Sequence, residues 1–453
     1  MERKKCQNTV PNAYSEQVRQ SAKRGISRRQ FVQASAGVVA AGALLGKRAF
    51  AASRPVKIGY VSPETGALAP FGEADAFVID QIRKKFQGGI MAGGATRNVE
   101  ILARDSRSSP NRAAEVAASL IESDKVDLML VSSSADTVNP VSDRCEVNQV
   151  PCVSTDAPWD AYFFGRGGNP AKGFDWTYHF FWGAETLSQV MADIFDQVPS
   201  NKVVGCLWAN DTEGDLFSDR VKGFPPVFKT RGYEVIDPGR IQGTSHDFTA
   251  QITKFKEVKA EILYGLLPSP AFSNFWAQAE QQGYKPKICT MSKALLFPSA
   301  VDALGPRGKN LTCELWWSPA HPFKSSLTGQ SAMQLCDDYE EVTKKQWTAT
   351  LGFCYALFEV AIDVFKRAQN PDSAASVIEA VRATKLDTIV GPVQWQGPPP
   401  NQWTQNPVKN VCTTPMVAGQ WVPGNKWMYD IVVVDNKRYP EVPVQRRMEP
   451  LPV

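Results

Sequence analysis

The sequence predicts an α/β protein made of two doubly wound lobes. Three observations carry this expectation. Short β-branched runs alternate with helical stretches from Pro55 onward, and the same alternation restarts near Lys202. The length, 453 residues, also exceeds one ordinary core, since domains usually run about 100–200 residues.

Pro55 to Ser62 reads as a buried strand, β-branched and ending in turn residues. A loop with Pro63, Gly66, Pro70 and Gly72 leads to a helix over 74–86, then a strand over 99–103. A helix over 111–123, a strand over 126–131, a helix over 139–148 and a strand over 150–153 complete the first unit. Alternation of this kind predicts a parallel sheet. The second unit reads as a strand over 202–208, a helix over 217–230, a strand over 233–236 and a helix over 248–257. Strands over 260–266, 287–290 and 310–316 follow, with a helix over 272–282 among them. Helices over 331–345, 350–369 and 373–383 come next, then a Pro-rich loop and a strand over 428–434. No Gly/Ser spacer separates the units near 179–186, which predicts a structured hinge.

The first 51 residues read as a leader and not as part of the fold. Ser27-Arg28-Arg29-Gln30-Phe31 precedes a small-residue apolar stretch, Ala34 to Leu45, and an Ala49-Phe50-Ala51 cleavage site. The stretch is shorter than the roughly 20 residues a membrane span needs. The motif resembles the twin-arginine export consensus, which implies a periplasmic location after cleavage near Ala51. With 50 basic and 46 acidic residues, the near-balanced charge offers no case for nucleic acid. Nine cysteines are present, and eight remain after Cys6 of the leader. Cys145 and Cys152 are the nearest pair and the candidate disulfide. The glycines from Gly88 to Gly94 do not fit a dinucleotide fingerprint, and they follow a helix. Three scattered histidines offer no metal spacing, and no nucleophile elbow occurs. No cofactor, metal or catalytic residue is therefore assigned.

The order and spacing of several segments are similar to the type I periplasmic binding proteins, nearest to the branched-chain amino-acid and amide-binding branch of ABC uptake systems. The segments are Lys57-Ile58-Gly59-Tyr60-Val61-Ser62-Pro63-Glu64-Thr65-Gly66, Arg104-Asp105-Ser106, Val131-Ser132-Ser133-Ser134 with Asn139-Pro140-Val141, Val150 to Thr155, His246-Asp247-Phe248-Thr249, and Gly391-Pro392-Val393-Gln394-Trp395. The resemblance spans about Pro55 to Asp435. It implies a three-crossing hinge near 180, 318 and 390. The N-terminal lobe is then 55–180 plus 318–390, and the C-terminal lobe 181–317 plus 391–445. It further implies a non-enzymatic, monomeric protein that closes on a small molecule and delivers it to an ABC permease. The alternatives are a twin-arginine-exported enzyme and a sensor of the same fold. Absent cofactor motifs weigh against the first, and the lack of a span after residue 52 against the second.

Candidate ligand contacts lie in the loops after the strands, where open α/β sheets bind. Ser132, Ser133 and Ser134 offer hydroxyls and free N–H groups at a helix start, with N-capping as the plain alternative. Ser154, Thr155, Asp156 and Ala157 follow the next strand. Phe71 and Trp159 are candidate aromatic walls, or else core packing. Asp211, Glu213, Pro268 and Lys293 lie in the second lobe's loops. Lys293 stands where amino-acid-binding relatives carry an acid, so the expected ligand is a carboxylate, amino-acid-like or aromatic. Its plain alternative is a solvated surface lysine. Trp182 lies near the first crossing and Trp316 and Trp317 near the second; they are further cleft candidates, with core or hinge packing as the plain alternative.

Overall fold

The computed structural model describes residues 53–398 and 407–452. The twin arginines and the cleavage site lie outside the described residues. Two sheets form the frame. The first contains β1 (Val56–Ser62), β4 (Val99–Asp105), β5 (Leu128–Ser132), β6 (Cys152–Thr155) and β7 (Thr177–Phe180), with a small hairpin of β2 (Ile90–Ala92) and β3 (Ala95–Arg97) beside it. The second contains β8 (Val203–Ala209), β9 (Glu234–Ile236), β10 (Arg240–Ile241), β11 (Ile262–Leu267), β12 (Ile288–Lys293) and β13 (Thr312–Leu315). A hairpin of β14 (Lys385–Thr388) and β15 (Gly391–Gln394) follows. Then come β16 (Val411–Cys412), β17 (Val417–Pro423) and β18 (Tyr429–Asp435).

The first sheet runs β16-β7-β6-β5-β1-β4 and is parallel throughout. Its inner strands β1 and β5 are buried over nearly their whole length because helices cover both faces, whereas the edge strand β4 is only half-buried. Chain order reverses at β1, since β4 and β5 flank it on opposite sides. The loops after β1 and β5 therefore open onto a crevice. In the second sheet β8 plays the same part, with β9 and β10 on one side and β11 on the other. Antiparallel β17 and β18 extend that sheet beyond β13.

The long helix Ala349–Arg367 is buried on nearly every face, as its all-round apolar sequence requires. Gly352 lets it approach closely, since a Cβ there would lie 2.4 Å from the Trp317 ring.

Several elements differ from the sequence reading. The serine-loop helix begins at Ala135, not Asn139, and carries Pro140 inside it. Proline's missing N–H leaves one helical bond unmade there, but the helix continues because both its flanks are packed. The helix expected over 217–230 is two, Thr212–Ser218 and Phe224–Thr230, divided before Pro225 and Pro226. The glycine-rich segment is a hairpin turn, with Gly93 and Gly94 both at positive φ. The last return to the second sheet comes after Cys412, not near 390. Val411 pairs with His179 in the first sheet, and Asn410 accepts from Phe174 N at 2.9 Å. Cys145 and Cys152, expected as a disulfide, are both buried free thiols. They interact with one another, and burial pushes the Cys145 thiol up.

Candidate functional site

The crevices of the two sheets face one another, and side chains reach across. Ser134 is the N-cap of the Ala135–Val147 helix but makes no side-chain capping bond. The helix's first N–H is satisfied from the other side instead: Ala135 N donates to Glu213 Oε1 at 2.8 Å. The exchange is reciprocal. Asp136 Oδ1 accepts from Thr212 N at 3.3 Å and Thr212 Oγ1 at 2.5 Å, at the start of the Thr212–Ser218 helix. Each helix N-terminus thus receives a carboxylate, the charge its dipole favours.

On the first sheet's side, Ser132 Oγ donates to Asp156 Oδ2. Ser133 Oγ is buried and has no partner among the described residues. Asp156 sits at φ +71°, a left-handed conformation that turns the chain at the end of β6. Burial pushes its carboxyl up to about 8, and the nearby Asp75 carboxyl adds to the shift. Ser154, Thr155 and Ala157 turn to the lobe's interior. Ser154 Oγ lies 2.7 Å from His179 Nδ1, Thr155 Oγ1 donates to Phe180 O at 2.8 Å, and Ala157 O lies 2.7 Å from His179 Nε2. These three stitch β6 to β7 and leave Asp156 as that segment's group at the crevice. Trp159 packs against Phe164 in the first lobe's core, and Pro158 takes its expected place in the wall.

On the second sheet's side, the C-terminal ends of β8 and β12 lie on either side of β11. That neighbourhood brings Asp211, Glu213 and Lys293 together. Lys293 Nζ lies 2.7 Å from Asp211 Oδ2 and also contacts Glu213 Oε2. Burial alone would depress the ammonium, but the two carboxylates outweigh it and hold it above the ordinary lysine value. Burial acts on Asp211 too, yet Lys293 brings its carboxyl below the usual range. Burial raises Glu213 despite the same lysine. Lys293 is neither a solvated surface residue nor a free anion hook, because its charge is already met twice. Pro268 opens the helix Ser269–Gln281 and lies off the wall, where Leu266 stands instead.

Between the two sides lies a cavity of about 20 Å³, bordered by Phe71, Asp156, Glu213 and Lys293. That is room for about one water. Phe71 makes an edge contact with Phe297 at 5.0 Å and stacks near Trp316 at 6.3 Å. Trp182, Trp316 and Glu314 complete its polar lining. Glu314 was missed by sequence reasoning, although a lone acid within Thr312-Cys313-Glu314-Leu315-Trp316 is the signal that marks it. Ser292 Oγ donates to it at 2.9 Å, and burial pushes its carboxyl up to about 7. A wider groove of about 610 Å³ runs past Glu73, Arg83 and Lys345. It is open to solvent, whereas the small cavity holds the buried polar groups at the strand ends.

The fold has many solved relatives. A leucine-binding protein from Thermotoga maritima is 20% identical, covering 84% of this chain and 99% of its own, with a TM-score of 0.65. A solute-binding protein of an ABC transporter from Rhodopseudomonas palustris BisB5, solved with 3,4-dihydroxybenzoic acid, is 16% identical over 83% of this chain and 95% of its own, with a TM-score of 0.65. A branched-chain amino-acid substrate-binding protein from Streptococcus pneumoniae, solved with isoleucine, is 16% identical over 84% and 99%, with a TM-score of 0.65. At these identities the likeness establishes the two-lobed type I fold. No curated protein matches the chain. The family profile described as periplasmic binding protein matches residues 55–411, and with that span, both sheets and the facing crevices accounted for, the chain belongs to the periplasmic binding protein family.

Proposed function

We propose that this protein is a periplasmic solute-binding protein that captures a small organic molecule by closing two lobes and hands it to an ABC permease. The observation that carries this reading is the paired crevice, with one switch point in each sheet and carboxylates exchanged across it. Binding acts through differential affinity: a ligand that contacts both sides favours the closed arrangement. The first lobe is read as 55–180 plus 318–412, and the second as 181–317 plus 413–445. Gly183 marks the first crossing, where a Cβ would lie 2.1 Å from Trp159 Nε1. The protein is read as a monomer without catalytic activity, exported through its twin-arginine leader.

An amino-acid-like or aromatic ligand keeps its support in the apolar wall, where Phe71, Phe217, Leu266 and Leu296 gather. The carboxylate read from Lys293 loses its main argument, since that ammonium is paired with Asp211 and Glu213. A thermal-shift screen with a broad metabolite library tests solute binding. A cognate ligand at a hundred times its Kd stabilises by about 2.7 kcal/mol. Failure of every compound to raise the melting temperature would refute the reading.

A further inference from the structure

Away from the crevice, a second set of contacts joins the lobes, and none of its residues borders the small cavity. The turn between β17 and β18, residues 424–428, reaches the helix Ala332–Thr343. There Lys426 Nζ donates to Glu340 Oε2 at 2.5 Å, and Trp427 Nε1 donates to Glu340 Oε1 at 3.1 Å. Glu340 also accepts from Trp347 N at 3.4 Å, and its side chain is only 10% exposed. Beside it, the buried Gln346 donates from Nε2 to Tyr429 O at 3.0 Å. Gly424 keeps the turn tight, since a Cβ there would lie 2.6 Å from Trp427 O and 2.7 Å from Asp430 Oδ2.

Each half of this contact is fixed to its own lobe. Tyr339, next to Glu340, meets Phe77 edge-on at 5.3 Å, and Lys345 Nζ lies 3.0 Å from Glu73 Oε1. Phe77 sits on the helix Asp75–Lys85, which follows β1 in the first lobe. On the other side, Tyr429 opens β18, and its hydroxyl donates to Gly305 O at 2.8 Å in the second lobe. A hinge motion that parts the lobes therefore draws Lys426 and Trp427 away from Glu340. The two donors hold differently. Lys426 is 63% exposed, so salt screens its share. The indole N–H carries no charge and keeps its bond to a shielded carboxylate at any ionic strength. Resting on the two-lobe reading above and on no ligand, we propose that the β17–β18 turn is an inter-lobe clasp, with Glu340 as its acceptor, that holds the unliganded protein closed and gives way on opening.

Small-angle scattering of the ligand-free protein tests this, with Glu340→Gln, Trp427→Phe and Lys426→Met as variants. Because the carboxylate exchange in the crevice also joins the lobes, each variant is made both alone and in the Glu213→Gln background. Glu340→Gln and Trp427→Phe should enlarge the radius of gyration, and more so in that background. Lys426→Met should give the smallest increase, its ammonium being largely exposed. Indole resonances of the ¹⁵N-labelled protein supply a second readout. The resonance missing from Trp427→Phe identifies Trp427, and it should shift in Glu340→Gln. Circular dichroism melting curves show which variants fold, and the exposed Lys426→Met serves if the other two do not. An unmoved Trp427 resonance would show that the indole does not meet Glu340 in solution, which overturns the proposal. A radius of gyration unchanged in every folded variant, in both backgrounds, also overturns it, the contact then being a static brace. No ligand enters this experiment, so solute binding stands or falls separately, on the library screen.

Discussion

The two sides of the cleft handle buried charge in opposite ways. On the second side, Lys293 is clasped by Asp211 and Glu213, and Asp211 also accepts from Gly214 N at 2.7 Å. On the first, Asp156 accepts from Ser132 through one oxygen, while its Oδ1 and Ser133 Oγ have no partner among the described residues. The ion cluster on the second side is therefore paired within itself, while the first side keeps those two buried atoms unpaired among the described residues. A buried charge network tolerates loss of a member badly, whereas an unpaired group is cheap to remove.

That contrast sets the scale of four substitutions. Lys293→Met strands two buried carboxylates and should destabilise the fold by about 3–5 kcal/mol in urea unfolding. A loss under 1 kcal/mol would mean that Asp211 and Glu213 are rehydrated or protonated at little expense. Glu213→Gln keeps the shape but weakens the bonds to Lys293 and to Ala135 N. It should lose roughly 1–3 kcal/mol, and small-angle scattering should show a larger radius of gyration as the lobes part. An unchanged scattering profile would show that the carboxylate exchange does not hold the cleft shut.

Asp156 makes a prediction in pH. Its folded pKa of about 8 lies above the ordinary aspartate value, so the protonated form favours the folded state. That stability is fully present below about pH 4 and is lost as pH rises through about 8. Asp156→Asn removes the titration. The drop in urea midpoint between pH 5 and pH 8.5 should be smaller in the variant than in the native protein. Equal drops would place the titration on other buried acids, such as Glu314 and Glu359, each pushed up to about 7 by burial. The smallest effect belongs to Ser133→Ala. With no bond to lose among the described residues, it should change stability by less than about 1 kcal/mol, and a larger loss would reveal a partner for its hydroxyl.

Much of the fold was legible because its signals are local. β1, β5, β8 and β11 are apolar runs whose length and flanking turns announce buried parallel strands. The Ala349–Arg367 helix matches its apolar stretch to within two residues. The short strands β7 and β16 and the seven-residue β17 escaped notice. Thr177-Tyr178-His179-Phe180 carries no turn signal of its own, and the two-residue β16 exists only because β7 offers it an edge. Likewise, Asp156, Glu213, Lys293 and Phe71 were found by their place after strands, while Ser154, Thr155 and Ala157 share that place and turn inward. Position after a strand selects a loop, but side-chain direction within the loop depends on neighbouring strands.

The sequence by itself determined the alternation of strands and helices, the division into two sheets, and the loops that form the cleft. These follow from periodicity and turn chemistry over a few residues. Only the tertiary structure decided which charges meet. Lys293 lies 82 positions from Asp211, and nothing local links them. They touch because β8 and β12 both flank β11 and end on the same side. The lysine read as a hook for an anion thus became the centre of an internal ion cluster. Ionic pairing depends on distances of a few ångströms and on exclusion of water, and both are set by the packing of segments far apart in the chain.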